Sequence, residues 1–121
     1  MENDWKKRIN EIVVRNKKYR SPDFSAKELA EMLGTSIFQL ARIMKREYGM
    51  SYSDLVLPLR IKEAQKHLLK RKYSEFNVEE IGLLVGFKNK WSFYQAFRKY
   101  VGTTPAEWKK ANSRDFLRKL P

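Results

Sequence analysis

Hydrophobic and polar positions follow one pattern along this chain, and the pattern occurs twice. Residues 24–34 match residues 76–86 at a constant spacing of 52 (76 minus 24). In the segments that follow, Leu40 matches Phe93 at a spacing of 53 (93 minus 40), and each segment keeps apolar residues four positions apart. A shift of one residue between two matching blocks places an insertion in a turn between two helices. The pattern therefore predicts two copies of a helix, a short turn and a second, more basic helix.

The start and end of the first helix are marked in the same way in both copies. Ser25 with Glu28, and Asn77 with Glu80, have the spacing of a capping box. In that motif the two side chains satisfy backbone N–H groups at the helix start. A glycine ends each matching block, where a helix commonly closes on a left-handed residue. Because the same signals occur twice, we expect a helix to begin at each cap.

The remaining segments complete an all-α chain of about seven helices, homeodomain-like in each half. We expect a first helix over about 4–18, a longer helix from Ser51 to about residue 72, and a last short helix opened by Thr104 and Pro105. Pro58 lies inside the longer helix, where it removes a backbone hydrogen bond, so a kink is expected. The predicted parts are a first helix-turn-helix subdomain, a linker helix, a second subdomain and a tail, over residues 1–50, 51–72, 73–112 and 113–121.

The charge balance indicates the kind of partner. Twenty-six basic residues against 14 acidic ones give a net charge of +12. A domain this basic usually binds a polyanion, because neutralised phosphates release condensed counterions. A solvated cationic surface and an anionic membrane surface are the alternatives, but the apolar stripes are only wide enough for a core. No apolar run is long enough for a bilayer and no secretory signal is recognisable, while the lack of cysteine excludes disulfides and thiolate zinc sites.

Catalysis is not expected from these residues. His67 is the single histidine, and a lone helical histidine among lysines is more often a surface or packing residue than a base or a ligand. No glycine-rich phosphate loop, carboxylate cluster or nucleophile with a base partner can be assembled. The sequence therefore predicts no enzyme, no cofactor and no metal site.

Base reading requires side chains near the start of a helix that can enter the major groove. In the second helix of the first copy, Arg42 can bind guanine through two hydrogen bonds, Gln39 can bind adenine in the same way, and Phe38 can contact a thymine methyl group. An ordinary solvated helix face is the alternative, but the place of these residues in a repeated motif favours DNA. The outward positions are Phe38, Gln39, Ala41, Arg42, Lys45 and Arg46, with Ile37, Leu40, Ile43 and Met44 on the core face.

The second copy presents a different set of side chains for the same purpose. Trp91 is ambiguous, because it could pack against the first helix of its own motif or face a base or a sugar. Lys99 is expected to meet phosphate. Three caps expose helix N-termini, which suit phosphate binding, and these are Ser25, Asn77 and Thr104. The outward candidates for base reading are Lys88, Asn89, Lys90, Trp91, Ser92, Gln95 and Arg98, with Phe93 and Phe97 inward.

These positions carry a resemblance to a known family. In the second copy the matching residues are Val85, Gly86, Phe87, Phe93, Phe97, Arg98, Lys99, Gly102, Thr104, Pro105 and Trp108. In the first copy and the linker they are Leu29, Ala30, Ser36, Leu40, Arg42, Lys45, Gly49, Ser51, Arg60, Leu68 and Leu69. Over about residues 29–108 the chain resembles the DNA-binding domain of the AraC/XylS family of bacterial transcription regulators.

The resemblance implies two helix-turn-helix motifs, joined by a linker helix and inserted in adjacent major-groove segments on one face of double-stranded DNA. It also implies a role in transcription, usually activation through RNA polymerase, and a bacterial cytoplasm with association to the nucleoid fits that role. Most members carry a separate sensing or dimerisation domain, so the chain is either a small stand-alone member or the C-terminal part of a longer regulator. The chain departs from the family at Met44, Pro58, Gly82, Trp91 and Gln95, and the last two leave the base preference of the second motif open.

Sequence-specific duplex DNA binding for transcription regulation is therefore the first prediction. A basic helical module that binds RNA or DNA without reading bases, as an architectural protein does, is the alternative. A protein–protein adaptor whose positive surface meets an acidic partner is a third hypothesis.

Overall fold

The computed structural model describes the backbone of residues 4–119 and the side chains of residues 4–70 and 72–113. Within that part of the chain all regular structure is helical, which confirms the predicted all-α class, and no helix there is long and apolar enough to cross a membrane. The α-helices are α1 (Trp5–Ile9), α2 (Ala26–Leu33), α3 (Ile37–Tyr48), α4 (Tyr52–Leu69), α5 (Val78–Leu84), α6 (Lys90–Val101) and α7 (Pro105–Lys119). A π-helix at Asn10–Arg15 and 3-10 turns at Lys18–Arg20 and Arg71–Tyr73 complete the set.

The N-terminal segment differs from the single helix predicted over about 4–18. α1 begins at the cap Asp4, and the wider π-helical turn of Asn10–Arg15 continues it directly. Lys17 then adopts a left-handed conformation with φ of 56° and ends the segment. β-branched residues at 12, 13 and 14 crowd a tight α-helical turn, and the wider turn still keeps Val13 buried.

Two compact units make up the chain, Met1–Leu59 and Arg60–Pro121, and the boundary falls within α4. The core of the first unit holds α3 against α2 and α1. Each fully buried aliphatic or aromatic side chain contributes about 1.5–3 kcal/mol, so this core fixes the rotation of α3. Its buried residues are Ile9, Val13, Tyr19, Phe24, Leu29, Ala30, Leu33, Leu40, Ile43, Met44 and Val56.

The core of the second unit is built around aromatic rings. The ring of Phe93 lies 5.3 Å from that of Phe87 and 5.8 Å from that of Phe97, centre to centre. Trp108 of α7 meets Phe97 edge-on at 6.0 Å. α7 runs to Lys119 and is therefore longer than the short last helix predicted; of the predicted tail, side chains after residue 113 lie outside the described part. Buried aliphatic residues from α4, from α5 and from the residue that caps α5 complete this core, namely Ile61, Ala64, Leu68, Ile81 and Val85.

Gly82 occupies the place where α5 passes closest to Phe93. A Cβ atom on Gly82 would lie 2.6 Å and 2.7 Å from two ring atoms of Phe93, well inside van der Waals contact. Glycine costs helix propensity of roughly 1 kcal/mol relative to alanine, but here it makes room for a ring. In this chain a glycine at position 82 therefore relieves a close contact with the ring of Phe93.

The apolar residues Leu57, Ile61, Ala64 and Leu68 predict one buried face on the long helix α4, and the structure keeps only part of it. Ile61, Ala64 and Leu68 are buried in the second unit, as expected. In the first unit Val56 is buried, whereas Leu57 is only half-buried. Because the unit boundary divides this helix, its two ends face separate cores, and a single straight stripe is not required.

α4 ends at Leu69, earlier than predicted, and contains a buried acid and base. His67 and Glu63 are each 8% exposed, and His67 Nε2 lies 3.9 Å from a Glu63 carboxylate oxygen. The imidazole ring packs 4.3 Å from the ring of Tyr73. Of the two roles expected for His67, surface or packing, the structure selects packing.

Candidate nucleic-acid interface

The helices α3 and α6 begin and end in the same way. Ser36 Oγ accepts a hydrogen bond from the Gln39 N–H at 3.1 Å, and Asn89 Oδ1 accepts one from the Ser92 N–H at 2.8 Å. Both helices are 12 residues long and end at a left-handed glycine. Residues that match at the spacing of 53 therefore hold the same position relative to the helix start.

The turns that lead into these helices also share their closing bonds. Both predicted capping boxes are complete, at the starts of α2 and α5. The Thr35 N–H donates to the Ala30 carbonyl at 2.9 Å. At the matching place the Phe87 N–H donates to the Gly82 carbonyl at 3.0 Å. The extra residue of the second copy lies after Gly86, in the turn, as predicted.

α3 turns a mixed aromatic and polar face to solvent. Phe38, in its first turn, is 82% exposed, which is unusual for a ring that could pack on a core. The other residues of the predicted base-reading set are exposed as well, namely Gln39, Ala41, Arg42, Lys45 and Arg46. All six side chains are therefore accessible to a groove.

The prediction that Ile37 takes the core face is wrong. Its side chain is 49% exposed, whereas Leu40, Ile43 and Met44 are buried as predicted. A side chain at the first helical position points back towards the helix N-terminus, so Ile37 extends past the core. With Met50 it lines an open cavity of about 470 Å³ beside α3.

α6 and the turn before it expose most of the second predicted set. Trp91 is 70% exposed, so it faces solvent rather than packing against α5. Ser92 is half-buried, so its side chain is not fully outward as predicted. The exposed members of the set are Lys88, Asn89, Lys90, Trp91, Gln95 and Arg98.

A carboxylate lies against the start of α6. The Tyr94 hydroxyl donates a hydrogen bond to Glu79 Oε1 at 2.6 Å, and Lys90 Nζ lies 3.5 Å from the same oxygen. Lys90 Nζ also lies 5.4 Å from the centre of the Tyr94 ring. The hydrogen bond from Tyr94 is the main cause that lowers the pKa of Glu79, and the same bond raises the pKa of Tyr94 to about 12. Lys90, a predicted base reader, is therefore held by an acidic partner of its own motif.

Sequence reasoning did not predict this cluster. Its two members on α6 are one helical turn apart and so share a face, which was a partial signal. The place of Glu79 depends on how α5 packs on α6, and no local pattern encodes that packing. The first motif has Lys27, Ile37 and Ala41 at the matching positions, and these residue types cannot form such a cluster.

The residues predicted to contact phosphate are three helix caps, whose side chains are engaged within their own helices, and one exposed lysine. The side-chain oxygens of Asn77 and Thr104 accept hydrogen bonds from their own helices at 2.8 Å and 3.2 Å. At the third cap, hydrogen bonds from Ser25 lower the pKa of Glu28, whose carboxylate sits at the α2 N-terminus and compensates the helix dipole. Lys99, by contrast, has an exposed side chain on α6 and keeps its charge accessible.

Known proteins share this sequence pattern. The profile of a family described as "Helix-turn-helix domain" matches residues 29–111. The probable transcription factor PqrA of Proteus vulgaris is 27% identical over 103 residues, which cover 84% of this chain and 82% of that protein. The Msm operon regulatory protein of Streptococcus mutans is 30% identical over 83 residues, which cover 69% of this chain. The match spans only 29% of the length of that second relative.

Solved structures share the fold. The C-terminal domain of AraT, a response regulator from Geobacillus stearothermophilus, has a TM-score of 0.76 at 28% identity, over 87% of this chain and 83% of that one. The C-terminal domain of the response regulator yesN from Fusobacterium nucleatum has a TM-score of 0.78 at 28% identity, over 88% and 99%. An AraC-type DNA-binding regulator from Chromobacterium violaceum has a TM-score of 0.67 at 25% identity, over 89% and 95%. Profile, relatives and fold agree, and the chain belongs to the AraC/XylS family of helix-turn-helix, DNA-binding transcription regulators.

Proposed function

We propose that this chain reads a specific duplex sequence by inserting α3 and α6 into two adjacent segments of the major groove, and that this binding regulates transcription. The repeated cap geometry carries the proposal, because it gives both helices the same register and an exposed first turn. The net charge of +12 supports the same partner, since neutralised phosphates supply most sequence-independent affinity.

In the first motif we assign base reading to Arg42 and Gln39. The guanidinium fork of Arg42 fits O6 and N7 of guanine, and the Gln39 amide fits N6 and N7 of adenine. Lys45 and Arg46 extend the same exposed face one turn further along α3. Ala41 is small and exposed, which lets the helix approach the base edges closely.

In the second motif we assign base reading to Gln95 and Arg98. The ion pair with Glu79 engages Lys90, so we do not assign this lysine to a base edge. Asn89 has its side-chain oxygen engaged in the cap, so only its amide N–H groups remain for a base. Lys99 supplies a phosphate contact from the C-terminal part of α6.

Two motifs in one chain act in this proposal as a covalent helix-turn-helix dimer. Recognition helices of such dimers lie one DNA turn apart, about 34–36 Å, and we expect that spacing here. Because the two motifs carry different side chains, the site is asymmetric rather than a palindrome. The division into subdomains 1–50 and 73–112, a linker at 51–72 and a tail belongs to this proposal.

The wider role follows from the relatives and is equally a proposal. Two relatives are described as an operon regulatory protein and a probable transcription factor, which supports transcription regulation, with activation through RNA polymerase as the expected outcome. The match spans only 29% of the Msm protein. This short span supports the proposal that the chain is the DNA-binding part of a longer regulator with a separate sensing or dimerisation domain. The chain works without catalysis or a cofactor, in the bacterial cytoplasm at the nucleoid.

A basic module that binds nucleic acid without reading bases is the second candidate. The net charge of +12 supports this candidate as strongly as it supports sequence-specific binding. Selection from a random duplex pool, at about physiological salt, separates the two. We expect an enriched motif with the native chain and its loss with Arg42→Ala/Gln95→Ala, which should still retain DNA. Retention without enrichment would establish the second candidate. A failure to retain duplex DNA even at low salt would overturn both and favour an acidic protein partner.

A further inference from the structure

The two most exposed large hydrophobic side chains in the described part of the chain are Phe38 at 82% and Trp91 at 70%. They match each other at the repeat spacing of 53 (91 minus 38). Each stands two positions after the cap of its helix, Ser36 in one case and Asn89 in the other. The repeat therefore presents an aromatic ring at the same point of both exposed helix starts.

An exposed ring at this position leaves most of its surface uncovered by its own motif. Exposed apolar surface is informative when it recurs at a site that already has a proposed ligand. In the major groove the apolar group available to such a ring is the C5-methyl group of thymine, which no other standard base carries. A ring in the first turn of an inserted helix is well placed to cover that methyl group.

The next turn of each helix adds a second pair of matching side chains. Arg42 stands four residues after Phe38, and Gln95 stands four residues after Trp91, so each pair shares one helix face. Both polar residues are exposed. Arginine pairs with guanine through O6 and N7, whereas glutamine pairs with adenine through N6 and N7.

We propose that Phe38 and Trp91 each read a thymine methyl group at equivalent points of two half-sites, and that Arg42 and Gln95 set the neighbouring purine to guanine in one half-site and adenine in the other. The inference rests on the proposed function and specifies its target. The two half-sites share one thymine and differ at one purine.

Replacement of thymine by deoxyuridine tests the methyl contacts, because it removes the methyl group and leaves the hydrogen-bonding edge unchanged. In the duplex selected by the native chain, each thymine is replaced singly and the affinity is measured. We expect two sensitive positions, one per half-site, each weakened about fourfold, which is the effect of one buried methyl-sized group of about 0.8 kcal/mol. Phe38→Ala should abolish the sensitivity in the first half-site only, and Trp91→Ala in the second only.

Met32→Ala and Leu83→Ala serve as controls, because these apolar side chains are about half exposed on α2 and α5 and lie outside the reading helices. Both control variants should still bind less tightly when the thymine of either half-site is replaced by deoxyuridine. In a parallel selection, Arg42→Gln should change the preferred purine of the first half-site to adenine, and Gln95→Arg should change that of the second to guanine. Circular dichroism verifies that each variant is folded.

The outcomes separate this inference from the function on which it rests. If no motif is enriched with the native chain, the proposed function fails and takes the inference with it. If a motif is enriched but no deoxyuridine substitution weakens binding through Phe38 or Trp91, the function stands and the inference is overturned. Sensitivity in the first half-site alone, unchanged by Trp91→Ala, overturns the assignment of Trp91.

Discussion

Tyr94 of α6 donates a hydrogen bond of 2.6 Å to Glu79 in the first turn of α5. The bond ties the two helices of the second motif together at the point where α6 begins, and Lys90 joins it at 3.5 Å. Because this bond lowers the pKa of Glu79 and raises that of Tyr94 to about 12, it is strongest when the carboxyl is ionised and the phenol is protonated. The second motif thus has a pH-dependent clamp that the first lacks.

Tyr94→Phe removes this bond and keeps the ring beneath Lys90. The lowered pKa of Glu79 makes its contribution full above the ordinary value of 4.5, with loss as the pH falls through the folded value. The raised pKa of Tyr94 makes its contribution full below the ordinary value of 10.0, with loss as the pH rises through about 12. We expect the variant to lose about 0.5–1 kcal/mol of unfolding free energy between these limits, a value reduced for solvent exposure of the carboxylate.

Urea denaturation of both proteins over a series of pH values measures this difference. Tyr100→Phe, on the exposed side of α6, is the matched control and should have little effect at any pH. If the difference in unfolding free energy between the native chain and Tyr94→Phe persisted unchanged well below the ordinary pKa of Glu79, the ionised carboxylate would not be the acceptor of this bond.

The contact between Gly82 and Phe93 gives a second prediction. Gly82→Ala should destabilise the chain by about 1–3 kcal/mol, because the new methyl group overlaps a fully buried ring. That cost exceeds the gain in helix propensity of roughly 1 kcal/mol. Thermal or urea unfolding measures whether the net change in unfolding free energy is a loss or a gain.

The first motif supplies the matched control, because its residues at these positions are Ala30 and Leu40. Gly82→Ala combined with Phe93→Leu reproduces that pair in the second motif. We expect the double variant to lose less stability than the sum of the single variants. Additive losses would show that the alanine and the ring do not compete for the same space.

Signals that lie within a few residues of one another predicted much of the structure. The caps at Ser25 and Asn77 and the glycine after α2 act through backbone bonds inside a single turn, so their spacing in the sequence suffices. The exposure of Ile37 was missed because periodicity does not reveal where a core ends. The Glu79 cluster was missed because it depends on the packing of one helix on another.

The base-reading assignment predicts different effects for two basic residues. Arg42→Ala should weaken binding by about 1–3 kcal/mol and relax the preference at one base pair, because it removes a base-edge contact. Lys66→Ala removes the same charge from an exposed position on α4. It should weaken binding to all DNA sequences alike or have little effect on affinity. Affinity for a panel of single-base variants of the site distinguishes them. If Arg42→Ala left both affinity and preference unchanged, the first recognition helix would be wrongly assigned.

Lys99 is predicted to contact phosphate without reading sequence. Lys99→Ala should reduce the slope of log Kobs against log salt concentration by about 0.9, the effect of one lost phosphate contact, and leave the selected motif unchanged. Lys7→Ala, on the exposed face of α1 and outside the proposed interface, should leave the slope as it is. A shift in base preference with Lys99→Ala would instead assign this lysine to the base edges.

Footprinting of the selected site, with the stoichiometry of the complex measured in parallel, tests the central claim that both motifs of one chain read DNA. We expect one chain per site and two protected major-groove segments about one DNA turn apart. Gln95→Ala should weaken protection of only one of them. A single protected segment, unaffected by changes at Lys90 and Gln95, would contradict the claim and reduce the second motif to a structural support.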